Sequence, residues 1–229
     1  FRQELKGVTL QGALLASQER FYVPQGRAAP LAFTRSNGQP QGAVGEAGGV
    51  FCILTEDEML FAGPHNQKTQ NDEIRVANLN SKKAVASFAG TNRILVDGDD
   101  AWMSIGGELR SLNRAQYVSA QRVARQAKDD MKNGRKPPKL MNQLIEKANK
   151  EQSDAWRWKI SLDAPLDMIK LGDVLVVGLD GSVSAISASS GRELWRTDIE
   201  GAAHGLAAAN GQLFVSTDRG EIYAFGASN

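Results

Sequence analysis

The chain has 229 residues, of which 41% are hydrophobic and 23% charged, and its formal net charge is +1. No run of apolar residues is long enough for a membrane-spanning helix, and the near-zero charge gives no overall attraction to nucleic acid or membranes. Twenty-three glycines against seven prolines, in a chain long enough to bury a sizeable core, favour a β-rich domain.

Five two-stranded hairpins follow one another along the chain at a spacing near 40 residues. They begin at Arg20, Met59, Ala101, Leu175 and Leu213. An apolar strand precedes each hairpin: GALLA from Gly12, GGVFCIL from Gly48, RILV from Arg93, DMIKL from Asp167 and GLAAA from Gly205. A strand unit that recurs at this interval is typical of β-propeller blades. We therefore predict an all-β fold, a β-propeller with about five four-stranded blades in this chain.

Glycine-containing turns support the hairpin interpretation. Asp180-Gly181 joins two alternating runs and predicts a type I′ turn. Asp218-Arg219-Gly220 predicts a three-residue turn with glycine in the left-handed position, and Gly106-Gly107 closes the third hairpin. The second hairpin instead has a long polar loop, residues 64–72, which could bind a ligand but which we interpret as a surface excursion.

An insertion of about 34 residues separates the third hairpin from the fourth. Val123, Ala127 and Met131 recur at the spacing of one helical face. A second apolar stripe, flanked by Met141 and Ile145, consists of Leu140, Leu144 and Ala148. The intervening NGRKPP breaks the helix. We therefore predict a two-helix hairpin, inserted into the propeller over residues 119–153.

The inserted hairpin is strongly basic. Between Arg114 and Lys150 there are ten Lys and Arg residues against three acidic residues, a local charge of +7. The candidate binding residues are Arg122, Arg125, Lys128, Lys132, Arg135, Lys136 and Lys139. They form either a solvated surface or a docking element for an acidic protein, an anionic lipid surface or nucleic acid. Nucleic acid fits least, because no aromatic residue follows Tyr117 within the basic stretch.

One segment resembles the tryptophan-docking motif of the PQQ-like (quinoprotein-like) β-propeller repeat. Ala185, Gly191 and Trp195 occupy its three positions, and the resemblance implies that the tryptophan wedges against a neighbouring blade. The other copies are degenerate. Gly42 stands where the first repeat should have tryptophan, Phe88 is a substitute in the second, and Trp156 or Trp158 serves after the insertion.

Most of the chain also resembles the later blades of long bacterial PQQ-like repeat proteins, through runs such as QGALLA, GGVF and GLAAANGQLFVSTDRGEIYAFG. Such propellers commonly have about eight blades. The first residues, FRQELKG, align with the outer-strand segment WRTDIEG at Trp195. We therefore expect the chain to be a piece of a longer propeller. The alternative is a closed five-bladed ring that Phe1 to Gly7 complete.

The resemblance also implies what a PQQ-dependent dehydrogenase would need: an adjacent cysteine pair, calcium ligands and a tryptophan under the quinone. The chain has one cysteine, Cys52, in an apolar strand, and we interpret it as a buried inert thiol. Asp97, Asp99 and Asp100 form a tight carboxylate cluster that we interpret as a turn. Only two histidines, His65 and His204, are available for catalysis. We predict no cofactor and no metal.

The sequence therefore favours a non-catalytic propeller that binds proteins or ligands in the bacterial cell envelope or periplasm. Arg27, in the PQGRAAP loop, and His204 are candidate binding residues at the propeller mouth. Two alternatives stay open. The chain could be a fragment of a quinoprotein oxidoreductase whose cofactor site lies on other blades, or a regulatory domain of a larger enzyme.

Overall fold

The computed structural model describes residues 10–44, 48–65 and 71–226. They form two compact units, one from the residues up to 92 together with 114–155, and the other from 93–113 together with the residues from 156 onward. The strand predicted at Phe1 to Gly7 lies outside the described residues.

The first unit contains two four-stranded antiparallel sheets, and in each the strands pair in chain order. The first sheet consists of β1 (Leu15–Ala16), β2 (Arg20–Gln25), β3 (Ala28–Thr34) and β4 (Pro40–Ala43). The second consists of β5 (Phe51–Leu54), β6 (Met59–Gly63), β7 (Glu73–Asn78) and β8 (Lys83–Ala89). Apolar side chains from both sheets, including Tyr22, Leu60 and Leu79, pack into one core because alternate strand residues share a face.

The second unit holds the remaining blades. The third sheet consists of β9 (Thr91–Asp97), β10 (Asp100–Ile105), β11 (Glu108–Asn113) and β12 (Trp156–Ser161). The fourth consists of β13 (Asp167–Leu171), β14 (Val174–Ser187), β15 (Glu193–Ala209), β16 (Gln212–Thr217) and β17 (Ile222–Gly226). β14 pairs with β13 through its first half and with β15 through its second half, and β15 continues into the next repeat to pair with β16.

The fourth sheet therefore contains a complete four-stranded blade and three strands of a fifth. The predicted succession of five blade repeats with an inserted helical pair is confirmed, with a three-stranded fifth blade within the described residues.

The turns agree with the sequence except at one position. Gly106 and Gly107 both have positive φ, +56° and +80°, as a type I′ turn requires. The type I′ prediction for Asp180-Gly181 is wrong, because Gly181 has a φ of +72° whereas Asp180 is not in the positive region. Asn210 and Gly211, at +51° and +74°, form such a turn between β15 and β16.

The insertion forms α1 (Arg114–Lys132) and α2 (Pro138–Asp154). α1 starts directly after β11, five residues before the predicted start of the insertion. Of the predicted apolar stripe of α1, only Ala127 is buried, at 3% exposed. Ala120, Ala124 and Ala148 pack together between the helices, whereas Val123 is 39% and Met131 36% exposed. Small alanine side chains let two helices approach closely, which bulky Val and Met would oppose.

In α2 the buried residues are Met141 and Ala148, and Leu140 of the predicted stripe is 48% exposed. Neither helix in the described part of the chain is long and apolar enough to cross a membrane.

Candidate interaction surface

A buried arginine fixes the start of the inserted hairpin. The side chain of Arg114 is only 4% exposed, and its Nη1 donates to Oδ2 of Asp57 at 2.8 Å. Its guanidinium also lies over the ring of Phe61, 5.9 Å from the centroid. Burial acts to raise the pKa of Asp57, but hydrogen bonds from Arg114 and Thr55 outweigh it and hold that pKa below its usual value. The first residue of α1 is thus tied to the second blade.

Within the next two turns, α1 covers part of the outer edge of β8. The Gln121 side-chain amide accepts a hydrogen bond from the Ser87 backbone N–H at 2.9 Å and donates to the Ser87 carbonyl at 3.2 Å. Tyr117 stacks on Phe88, with ring centroids 4.8 Å apart. Gln121 therefore satisfies the two backbone groups that an additional strand would bind, so this part of the blade edge is closed to strand addition.

A buried carboxylate organises the turn between the helices. The Asp130 side chain is 9% exposed and lies 3.7 Å from the Arg135 guanidinium and 3.5 Å from the Lys136 ammonium. It also accepts a hydrogen bond from the Gln126 amide at 2.9 Å. Two of the predicted binding residues, Arg135 and Lys136, therefore also neutralise a charge inside the hairpin.

The other predicted cations of the hairpin face solvent. Arg122, Lys128, Lys132 and Lys139 are exposed and make no hydrogen bond or ion pair with the described residues. Arg125 is also exposed and makes one long contact, 3.4 Å from its Nη2 to the Ser87 hydroxyl. We call Arg122, Arg125 and Lys128, on successive turns of α1, the basic face, and residues 131–140 the hairpin tip.

The two predicted mouth residues lie in different units. Arg27 is exposed in the turn between β2 and β3, where its Nε donates to the His65 carbonyl at 3.2 Å. His204 is exposed at a β-bulge, between the paired residues Ala203 and Gly205. A bulged residue leaves the strand ladder and can direct its side chain outward.

The tryptophan-docking motif receives an indole from the preceding blade. Nε1 of Trp158 donates to the Ala188 carbonyl at 3.0 Å, and Trp102 donates to the same oxygen at 2.9 Å. A Cβ on Gly191 would lie 2.7 Å from Cε3 of Trp158. Trp195 is 38% exposed and makes an edge-on contact with Phe225 of the next blade, at 5.2 Å between ring centroids.

Two aspartates of the carboxylate cluster are engaged in ion pairs. Asp97 pairs with Lys170 at 2.9 Å and Asp100 with Arg157 at 2.7 Å. Burial raises the pKa of the Cys52 thiol to about 11, which keeps it protonated at neutral pH. Within the described ranges, no group of three or more His, Cys, Asp or Glu residues could hold a metal ion.

Sequence reasoning missed the residues that position the hairpin. Arg114 and Asp130 were visible only as charges, and nothing in their local sequence indicates that both are buried. Gln121 carried no signal, because glutamine at that position is an ordinary helix residue. A charged residue placed directly at a strand-to-helix junction, as Arg114 is, was the one available clue.

Comparisons with known proteins identify the repeat. Residues 152–229 match the family model described as outer membrane protein assembly factor BamB. The PQQ-like repeat predicted from the sequence is therefore confirmed within these residues. Comparison with curated protein sequences finds no significant match.

Solved structures that resemble the chain show the propeller fold. BamB from Moraxella catarrhalis is 14% identical, with a TM-score of 0.55 over 98% of this chain and 61% of that protein. The computationally designed Ika8 protein is 9% identical, with a TM-score of 0.57 over 93% of this chain and 57% of that one.

The extracellular domain of the one-component system BT4673 from B. thetaiotaomicron is 11% identical, with a TM-score of 0.55 over 93% of this chain and 26% of its own. The chain thus spans about three fifths of the length of the BamB structure it resembles.

Proposed function

We propose that this protein is a non-catalytic interaction scaffold of the bacterial cell envelope, and that the basic face of the inserted hairpin docks an acidic segment of a partner protein. The observation that carries the proposal is the combination of a firmly seated helix and unpaired surface cations. α1 is attached to the second blade through Arg114 and Gln121, yet Arg122 and Lys128 are exposed without an intramolecular partner among the described residues.

The attachment of α1 to the blade matters because it reduces the conformational entropy lost on binding. A flexible basic segment would lose conformational entropy when it binds, whereas a helix already held on a blade presents its charges in a fixed pattern. Arg122, Arg125 and Lys128 recur every three residues, so they lie along one side of α1. Asp129 is the only exposed acidic residue between Arg122 and Lys139.

The envelope assignment and the protein partner draw support from the relatives. The matching family is described as an outer membrane protein assembly factor, and one structural neighbour is an extracellular domain. A comparable role for this chain would be the recruitment of a protein during assembly at the cell envelope. The mouth residues Arg27 and His204 are a second place where such a partner could bind, since loops at the mouths commonly carry function in propellers.

Charge reversal of the basic face tests the proposal. The variant Arg122→Glu, Arg125→Glu, Lys128→Glu is expected to lose at least about 100-fold in affinity for the partner protein, because each attraction becomes a repulsion. Its melting temperature should stay within a few degrees of the unmodified protein, since the side chains are exposed. Affinity purification from envelope extracts, with quantitative mass spectrometry, identifies the partner and measures its loss.

A matched control variant makes the same change in net charge at three other exposed positions. Lys147, Lys150 and Arg192 are exposed, and their replacement by glutamate should leave partner capture within about threefold of the unmodified protein. Equal loss in both variants would mean that capture depends on total charge, and unchanged capture in the first would remove the basic face from the proposal.

A further inference from the structure

The hairpin tip combines exposed cations with exposed apolar side chains. Each of the ten residues 131–140 is exposed, including Met131 at 36% and Leu140 at 48%. Four of the ten are basic, Lys132, Arg135, Lys136 and Lys139, and none is acidic. This tip is therefore the most concentrated positive segment of the hairpin, and its apolar side chains are not used by the hairpin core.

The position of the tip distinguishes it from the basic face. The contacts of α1 with the second blade come from its first half, at Arg114, Tyr117, Gln121 and Arg125. The last turn of α1, Gly134 with its φ of +64°, and Pro137 and Pro138 then form the turn between the helices, in which every residue is exposed. Of the two carboxylates that precede the tip, Asp130 is buried and lies near Arg135 and Lys136, whereas Asp129 is exposed.

We propose that the hairpin tip binds an anionic lipid surface, with Met131 and Leu140 entering the headgroup region. Lys132 and Lys139, which have no partner among the described residues, would pair with lipid phosphates. Lys and Arg have stems long enough to keep their charges at the phosphate level while their methylenes lie along apolar material. A fully exposed turn with separate apolar residues suits a deformable bilayer surface, whereas a folded protein would need a matching groove. The inference uses different residues from the basic face and does not depend on the acidic partner.

Vesicle co-sedimentation of the whole chain tests this inference. We expect binding to phosphatidylcholine vesicles that contain about one third phosphatidylglycerol, and little binding to pure phosphatidylcholine. The double variant Lys132→Ala, Lys139→Ala should bind the anionic vesicles about 25-fold more weakly, since each cation near such a surface contributes about a fivefold factor. These side chains are exposed and unpaired among the described residues, so the variant should fold normally.

Two further variants separate the apolar and the charge contributions. Met131→Ser with Leu140→Ser should weaken vesicle binding by about tenfold. This loss should persist at high salt, unlike the loss in the lysine variant, because salt screens charge interactions but not apolar transfer. Lys147→Ala with Lys150→Ala, exposed on the second half of α2, should change binding by less than about twofold if only the tip contacts the lipid.

The outcomes that overturn the inference are distinct from those that concern the basic face. Equal binding to neutral and anionic vesicles, or no loss in the Lys132 and Lys139 variant, would overturn it. Absence of binding to anionic vesicles would also overturn it, and poly-glutamate binding that is lost in the Lys132 and Lys139 variant would assign the tip to a protein partner instead. Loss of vesicle binding only in the Arg122, Arg125 and Lys128 variant would move lipid recognition to the basic face and overturn the assignment to the tip.

Discussion

Replacing Gly191 with alanine is expected to lower the free energy of unfolding by about 3 kcal/mol, as measured by urea denaturation. Gly191 has a φ of +74°, which an L side chain rarely adopts. The added Cβ would lie 2.7 Å from Cε3 of Trp158, so the indole must move. Trp158 would then lose its hydrogen bond to the Ala188 carbonyl, and the contact between the third and fourth blades would loosen.

Gly181 provides the control for this substitution. Its φ of +72° is nearly the same, but no atom lies within 4 Å of a Cβ built on it. Gly181→Ala should therefore lower the free energy of unfolding by only about 1 kcal/mol, the cost of holding an alanine at positive φ. If the two variants lose the same stability, the proximity of Gly191 to Trp158 contributes nothing and the docking arrangement is not what holds these blades together.

Arg114→Ala is expected to cost about 3 kcal/mol in the same measurement, because it removes a buried cation, its 2.8 Å contact with Asp57 and its stacking on Phe61. The value is at the low end for a buried ion pair because Asp57 is 46% exposed and can recover solvent. Arg122→Ala, an exposed arginine on the same helix, should change stability by less than about 0.5 kcal/mol. Similar losses in both variants would contradict the anchoring role of Arg114.

The contact between Arg114 and Asp57 should make the stability of the fold depend on pH. Because the folded-state pKa of Asp57 is lower than its unfolded value, its ionisation stabilises the fold above the unfolded pKa, near 4, and that contribution disappears as the pH falls through the folded pKa. Asp57→Asn should therefore be less stable than the unmodified protein at pH 7, and the gap should narrow below about pH 4. A gap that does not change with pH would show that ionised Asp57 does not stabilise the contact.

The blades could be predicted from the sequence because local signals and tertiary packing agree there. Alternating apolar residues around Leu175 and Leu213 predict half-buried strands, and the glycines between them fix the turns. The Asp180-Gly181 turn type failed because only Gly181 adopts positive φ. The role of Trp158 was harder to foresee, because Trp158 docks on Gly191 although it lies a whole hairpin earlier in the sequence.

The candidate interaction surface was only partly predictable. Its net charge follows from counting residues, but charge does not reveal which cations are already paired. Arg135 and Lys136 look like Lys128 and Lys132 in the sequence, yet only the first two lie near the buried Asp130. The start of α1 also escaped prediction, because Arg114 is held by Asp57 and Phe61, 57 and 53 positions earlier in the chain. Such long-range contacts leave no periodic pattern.

Site-specific photo-crosslinking tests most directly whether the basic face binds a partner protein. A photoreactive residue at Ser119, which is exposed one turn before Arg122, should capture one acidic protein from envelope extracts, through an acidic segment. The same probe in the Arg122, Arg125 and Lys128 reversal variant should capture none of it, and a probe at the exposed Asn149 of α2 should capture little. Equal capture from Ser119 and Asn149, or capture that survives the charge reversal, would contradict docking through the basic face.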